Sequence, residues 1–222
     1  YTTLFRSDEC KKMVGNYMRL DEEYCLSEYV DLGRLGDNEK VHIVRNQVNG
    51  VIGVRKYVAL DLEEIYLFLK ENPNAYIPKI YECIQTDTNL IVIEEYLSGK
   101  NLEEMLKEKY FSEKDAADII ICLCNALYPL HHAKMPVICR DLKAENVILT
   151  NEGEVKLVDF DIARIYQPGK SKDTVMMGTQ GYAAPEQFGF GQTDARTDIY
   201  AMGVLLNYML VREFPMEKLT EG

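Results

Sequence analysis

The hydrophobic pattern of this 222-residue chain changes period partway along, and that change limits the folds open to it. From Tyr29 to Val58, short β-branched runs alternate with turn signals at Leu32-Gly33, Gly36-Asp37-Asn38 and Asn49-Gly50, which reads as three antiparallel strands. Leu60 to Leu69 carries a helical pattern ended by Asn72-Pro73-Asn74. Two further strands, Lys79 to Gln85 and Leu90 to Glu94, flank the polar turn Thr86 to Asn89. Beyond Ser98-Gly99 the period becomes helical: Ala116, Ile119, Ile120, Leu123, Leu127 and Leu130 fall at offsets 0, 3, 4, 7, 11 and 14 behind a capping Ser112. The expected class is α+β, a small β-rich lobe with one helix, hinged near Glu95 to Gly99 on a helical lobe. Clefts between lobes are common ligand sites.

Composition narrows the function. With 47% hydrophobic residues the chain can bury a core, and 25 Lys and Arg against 36 Asp and Glu leave a net charge of −11. That balance argues against nucleic acid or an anionic membrane as partner, since phosphate-binding surfaces need clustered cations. The longest nearly apolar run, Tyr200 to Val211, is short of the roughly 18 residues a membrane span takes. Tyr1 is no initiator Met and no apolar leader follows it, so the sequence reads as trimmed. Six cysteines without C-x-x-C spacing suit a reduced compartment, and the expected localisation is cytoplasmic.

The first chemical signal is a hairpin. Val147 to Thr150 and Val155 to Val158 flank the turn signal Asn151-Glu152-Gly153-Glu154. A four-residue turn sets Asn146 opposite Asp159, backbones about 5 Å apart. An amide oxygen beside a carboxylate suits Mg²⁺, which takes one or two protein oxygens and fills its octahedron with water and phosphate. On the hairpin alone, a turn-flanking Asn and Asp in water is an equal reading.

The surrounding text decides between them. Cys139 to Asn146 reads C-R-D-L-K-A-E-N, Asp159 to Asp161 D-F-D, Gly178 to Glu186 G-T-Q-G-Y-A-A-P-E, and Asp198 to Val204 D-I-Y-A-M-G-V. Over roughly residues 29 to 215 the sequence resembles the eukaryotic-like protein kinases. The run E-Q-F-G-F-G-Q-T-D looks like a bacterial serine/threonine kinase of the Firmicute type.

The resemblance implies a two-lobed kinase fold with an extension at 1–28, an N-lobe at 29–97 and a C-lobe at 98–222 that stops after its central helix. It implies Asp141 as catalytic base, Lys143 as the cation on the transferring phosphoryl group, and Asn146 and Asp159 as ligands of Mg²⁺, with Mn²⁺ as an alternative. Lys56, on the same strand face as Val54, becomes the lysine for the ATP phosphates, with Glu64 preferred over Glu63 as its ion-pair partner. Gly36, Val41 and Val54 line the nucleotide, and the backbones of Glu95 and Leu97 face adenine. Glu94 then takes the gatekeeper position, where it must find a donor such as Lys56 or face water. Arg140 and Arg164 are the readers of a phosphate at Thr174, Ser171 being the other loop hydroxyl. Thr179 and Tyr182 belong to the segment that receives substrate, with Thr179 bonding Asp141 and Lys143.

Five departures from the family pattern matter. Of three glycine slots before Val41, only Gly36 survives, Arg34 and Glu39 filling the others. Cys139 replaces a histidine that packs under Phe160, and Asp161 replaces the glycine of D-F-G. Glu186 should lack its usual arginine, and the apolar helix from Asp198 to Val211 should be partly bare, favouring self-association. The implied activity is transfer of the γ-phosphoryl of ATP to a protein Ser or Thr. A pseudokinase binding module and a small-molecule phosphotransferase are the rivals.

Overall fold

The computed structural model describes residues 20–36, 38–169, 177–189 and 191–214. Ser171, Thr174 and Asp37 of the sequence reading lie outside them, as does the tail beyond Phe214. Two compact units emerge: residues up to 70 together with 80–96, and residues 71–79 together with 97 onward.

The first unit is a five-stranded antiparallel sheet in the order β1-β2-β3-β5-β4, formed by Tyr29–Arg34, Val41–Asn46, Ile52–Val58, Leu90–Glu95 and Ile80–Gln85 respectively. Helix α1, Leu20–Ser27, precedes it, within the stretch read from sequence as an extension. Leu32-Gly33 is a β-bulge inside β1 rather than a turn: the register shifts between Asp31 and Gly33, Gly33 has φ +134°, and its N–H donates to the Asp31 carboxylate at 2.8 Å. Central strand β5 is apolar throughout except at its end, with Leu90, Val92 and Ile93 wholly buried, because it is paired on both edges and covered on both faces. The pattern over 60–69 resolves into a tight 3₁₀ turn, Leu60–Leu62, leading into helix α2, Glu63–Glu71, which buries Ile65, Tyr66 and Leu69.

The second unit carries helices α3 (Leu102–Glu108), α4 (Glu113–His131) and α5 (Ala195–Val211). Two small sheets complete it: β6 (Gly99–Asn101), β8 (Val147–Thr150) and β9 (Val155–Leu157) form one, and β7 (Val137–Ile138) pairs with β10 (Arg164–Ile165). Each helix starts at a capping box: Asn101 with Glu104, Ser112 with Asp115, Asp194 with Thr197. Helix α4 packs against α5 and β9 through Ala116, Ile119, Leu123 and Leu127, the face that the sequence offsets predict. Gly99 is required where β6 meets β8, since a Cβ there would lie 2.2 Å from the Leu149 carbonyl oxygen.

The β8–β9 hairpin corrects one expectation. Val147 pairs with Leu157 and Leu149 with Val155, so the loop holds three residues, not four. Thr150 N–H donates to Glu154 O at 2.9 Å, Gly153 N–H returns to Thr150 O at 3.0 Å, and Gly153 sits at φ +86°. A left-handed glycine closing such a loop shifts the register by one residue. Asn146 therefore faces Val158, whose N–H donates to its carbonyl at 2.8 Å, and Asp159 lies one step further on.

Candidate active site

In the second unit, the sequence-predicted residues converge on Asp141. Its carboxylate accepts from Lys143 Nζ at 2.7 Å, from Thr179 Oγ1 at 2.7 Å and from Asn146 Nδ2 at 2.9 Å. Lys143 also reaches Thr179 Oγ1 at 3.2 Å, and Asn146 Nδ2 bonds the Asp141 carbonyl at 2.9 Å. The expected Thr179 contacts are thus present. They join the loop before β8 to the segment after residue 177.

Three side chains set this loop: Asp198, His131 through Asp198, and Gln187. Asp198, wholly buried on the first turn of α5, accepts the backbone N–H groups of Cys139 at 2.9 Å and Arg140 at 2.8 Å, and its Oδ2 lies 2.7 Å from His131 Nε2 of α4. Arg140 has φ +66°, a conformation unfavourable for a side-chain-bearing residue that these bonds hold in place. Gln187, 3% exposed, is the third support: its Nε2 donates to Arg140 O at 2.9 Å and Met177 O at 2.7 Å, while its Oε1 accepts from Ala184 N at 3.0 Å. Sequence reading passed over Gln187, His131 and the anchoring role of Asp198, because nothing in a one-dimensional pattern marks a polar side chain as buried.

Pairing of Arg164 with Ile138 across β10 and β7 sets Arg164 beside Arg140, two residues further along. Burial lowers the proton affinity of both guanidiniums, and the charge of Arg140 lowers that of Arg164 further. Arg140 Nε donates to Ile162 O at 2.7 Å. Buried Cys139 is held well above the ordinary thiol range, first by desolvation and then by Asp198, so it packs as a neutral group.

The register correction moves Asp159 one residue beyond the position opposite Asn146. Asn146 is 6% exposed, and its amide nitrogen is committed to Asp141, which leaves its oxygen as the acceptor end. Asp159 is half-buried at φ +70°, its Oδ1 accepting Asp161 N–H at 3.1 Å. The left-handed residue of D-F-D is therefore Asp159, and Asp161 is exposed outside the left-handed region. An amide oxygen and a carboxylate fit Mg²⁺, which needs few protein oxygens when phosphates supply the rest. Among the described residues no cluster of three His, Cys, Asp or Glu forms a metal cage of its own.

In the first unit, Lys56 Nζ lies 2.7 Å from Glu94 Oε1. This corrects the expected Glu64 pair: Glu64 is exposed on α2, whose buried face is Ile65, Tyr66 and Leu69. Val54 is buried, Val41 half-buried and Gly36 exposed at φ +68°. The two lost glycine slots answer each other, with Arg34 NH1 3.3 Å from Glu39 Oε1. Glu95 closes β5 opposite Gly53, and Leu97 is half-buried in the second unit. Glu186 accepts a hydrogen bond from Thr197 Oγ1 at 2.6 Å.

The protein kinase domain family matches residues 36–221, and the chain belongs to that family. Among curated relatives, "Probable serine/threonine-protein kinase PknB" of Corynebacterium glutamicum is 38% identical over 130 residues, covering 57% of this chain and 20% of the relative. A "Probable serine/threonine-protein kinase" of Clostridium perfringens is 38% identical over 133 residues, 59% of this chain and 19% of the relative. "Protein kinase C zeta type" of Oryctolagus cuniculus is 30% identical over 204 residues, 86% of this chain and 34% of the relative. The chain spans roughly a fifth to a third of these relatives' length. No helix among the described residues is long and apolar enough to cross a membrane.

Proposed function

We propose that this chain is the catalytic domain of a serine/threonine protein kinase, with 29–97 as its N-lobe and 98–222 as its C-lobe, transferring the γ-phosphoryl of Mg-ATP to a protein hydroxyl. The observation that carries the reading is the Asp141 carboxylate held by Lys143, Thr179 and Asn146. Asp141 accepts the proton of the attacking Ser or Thr hydroxyl. Lys143 swings its ammonium from Asp141 toward the moving phosphoryl group, whose equatorial oxygens carry the developing charge. A lysine two places after the base favours Ser or Thr over Tyr as acceptor.

Lys56 takes the α- and β-phosphates, while Gly36, Val41 and Val54 and the backbones of Glu95 and Leu97 hold the rest of the nucleotide. Asn146 and Asp159 hold Mg²⁺, with Mn²⁺ as the substitute; when bound, the ion neutralises phosphate charge. The Arg140–Arg164 pair receives a phosphate on Thr174, which would fix the loop through charge-assisted bonds. The bacterial, Firmicute-type reading rests on the run from Glu186 to Asp194 and on the likeness to the Clostridium perfringens protein. A cytoplasmic location rests on the cysteine pattern, and self-association on the exposed Ile199, Leu210 and Val211 of α5.

Incubation with γ-labelled Mg-ATP and a general protein substrate tests the reading. Label on Ser and Thr, abolished in Asp141→Asn, is the expected result. Nucleotide binding without transfer by the wild-type protein would instead make it a pseudokinase.

A further inference from the structure

The ammonium of Lys56 and the carboxylate of Glu94 form an ion pair withdrawn from water, their side chains 12% and 9% exposed. Strand register produces it: Lys56 lies opposite Val92 and Val54 opposite Glu94, so the two charges are diagonal neighbours on one face of the sheet. Glu94 is gripped on both edges, facing Val54 on β3 and Ile80 on β4. Gly53 lets the strands press together there, since a Cβ would meet Glu94 O at 3.0 Å and Ile93 Cγ2 at 3.1 Å.

We propose that Glu94 is the positioning residue for Lys56 in nucleotide binding, the role that the family resemblance assigns to Glu64. This deepens the kinase reading and rests on it. A lysine loses more rotamer freedom on binding a phosphate than almost any other side chain, and a fixed carboxylate removes that freedom beforehand. An ammonium carries three donors, so a carboxylate oxygen and phosphate oxygens can share it. Glu64, exposed on a helix whose buried face is apolar, is not placed to do the same. The acidic residue at the end of β5 is therefore part of how this chain recognises the polyphosphate of a nucleoside triphosphate.

The test is a mutant cycle read by calorimetric titration with Mg-ATP, on wild type, Glu94→Gln, Glu64→Gln, Lys56→Met and the double variant Lys56→Met/Glu94→Gln. Glu94→Gln should weaken binding about tenfold in the wild-type background and less than about twofold in the Lys56→Met background, since the effect passes through the lysine. Glu64→Gln should weaken it less than Glu94→Gln does. An equal loss from Glu94→Gln in both backgrounds, or a larger loss at Glu64, overturns the proposal. Wild-type affinity in Lys56→Met would instead overturn the assignment of Lys56 to nucleotide. If Glu94→Gln does not fold, Glu94→Asp, which keeps the charge on a shorter arm, carries the same cycle.

Discussion

The side-chain amide of Gln187 donates to the carbonyl of Arg140, the residue just before the candidate base, at 2.9 Å. Its second hydrogen goes to Met177 O, so one buried side chain ties the base's loop to the segment that supplies Thr179. Gly178 makes room for it: a Cβ there would lie 2.8 Å from Gln187 Nε2 and 2.6 Å from Ala183 Cβ. Gln187→Leu removes two donors and one acceptor while keeping the volume. It should cost about 2 kcal/mol or more of stability, read by urea denaturation, because the partners are left without replacements.

Asp141→Asn should lower kcat by about 100- to 10,000-fold while leaving ATP affinity within a few-fold, since the group acts on the nucleophile. Quench-flow for transfer and calorimetry for binding separate the two. Transfer at the wild-type rate would remove Asp141 from the chemistry.

Asp198→Asn should destabilise the second unit by about 3 kcal/mol. The amide cannot accept from Cys139 N–H, Arg140 N–H and His131 with both of its ends, and a nitrogen turned toward any of those donors repels it. Denaturant titration of both proteins checks this, and a loss under about 1 kcal/mol would show that the loop is held by other contacts.

Arg55→Met should be mild. Arg55 points away from the Lys56 face and pairs with the 40%-exposed carboxylate of Asp31 at 2.6 Å, so the change should cost about 1 kcal/mol or less and leave Mg-ATP affinity within about twofold. A large loss of affinity would mean that the lysine assignment is one residue out of register.

Alkaline pH offers a further check. Burial pushes the Cys83 thiol up to about 11, Lys70 nearby opposing the shift and Glu82 and Glu63 adding to it. A raised folded-state value gives stability that is present below the ordinary thiol value of 9.0 and is lost as pH climbs toward about 11. Unfolding free energy should therefore fall more steeply across that window in wild type than in Cys83→Ala. Parallel curves would show that Cys83 titrates normally.

The sequence alone determined whatever depends on neighbours a few residues apart. Ser112 with Asp115 starts α4 where the cap pattern requires, the apolar offsets choose its buried face, and alternation places Lys56 with Val54 and against Arg55. The ordered motifs placed Asp141, Lys143, Asn146 and Thr179 in one family pattern, and they meet around one carboxylate. Tertiary structure decided the rest. Lys56 had a choice of acids, and strand pairing selected Glu94 over Glu64, because a diagonal contact between adjacent strands is fixed by register and a helix face by what it must bury. The β8–β9 turn closed with three residues because Gly153 took the left-handed conformation, a difference too small in energy to read from four polar letters. Gln187 became a clamp only because folding brought three backbone groups to its amide, and a side chain's burial depends on chain far from it in sequence.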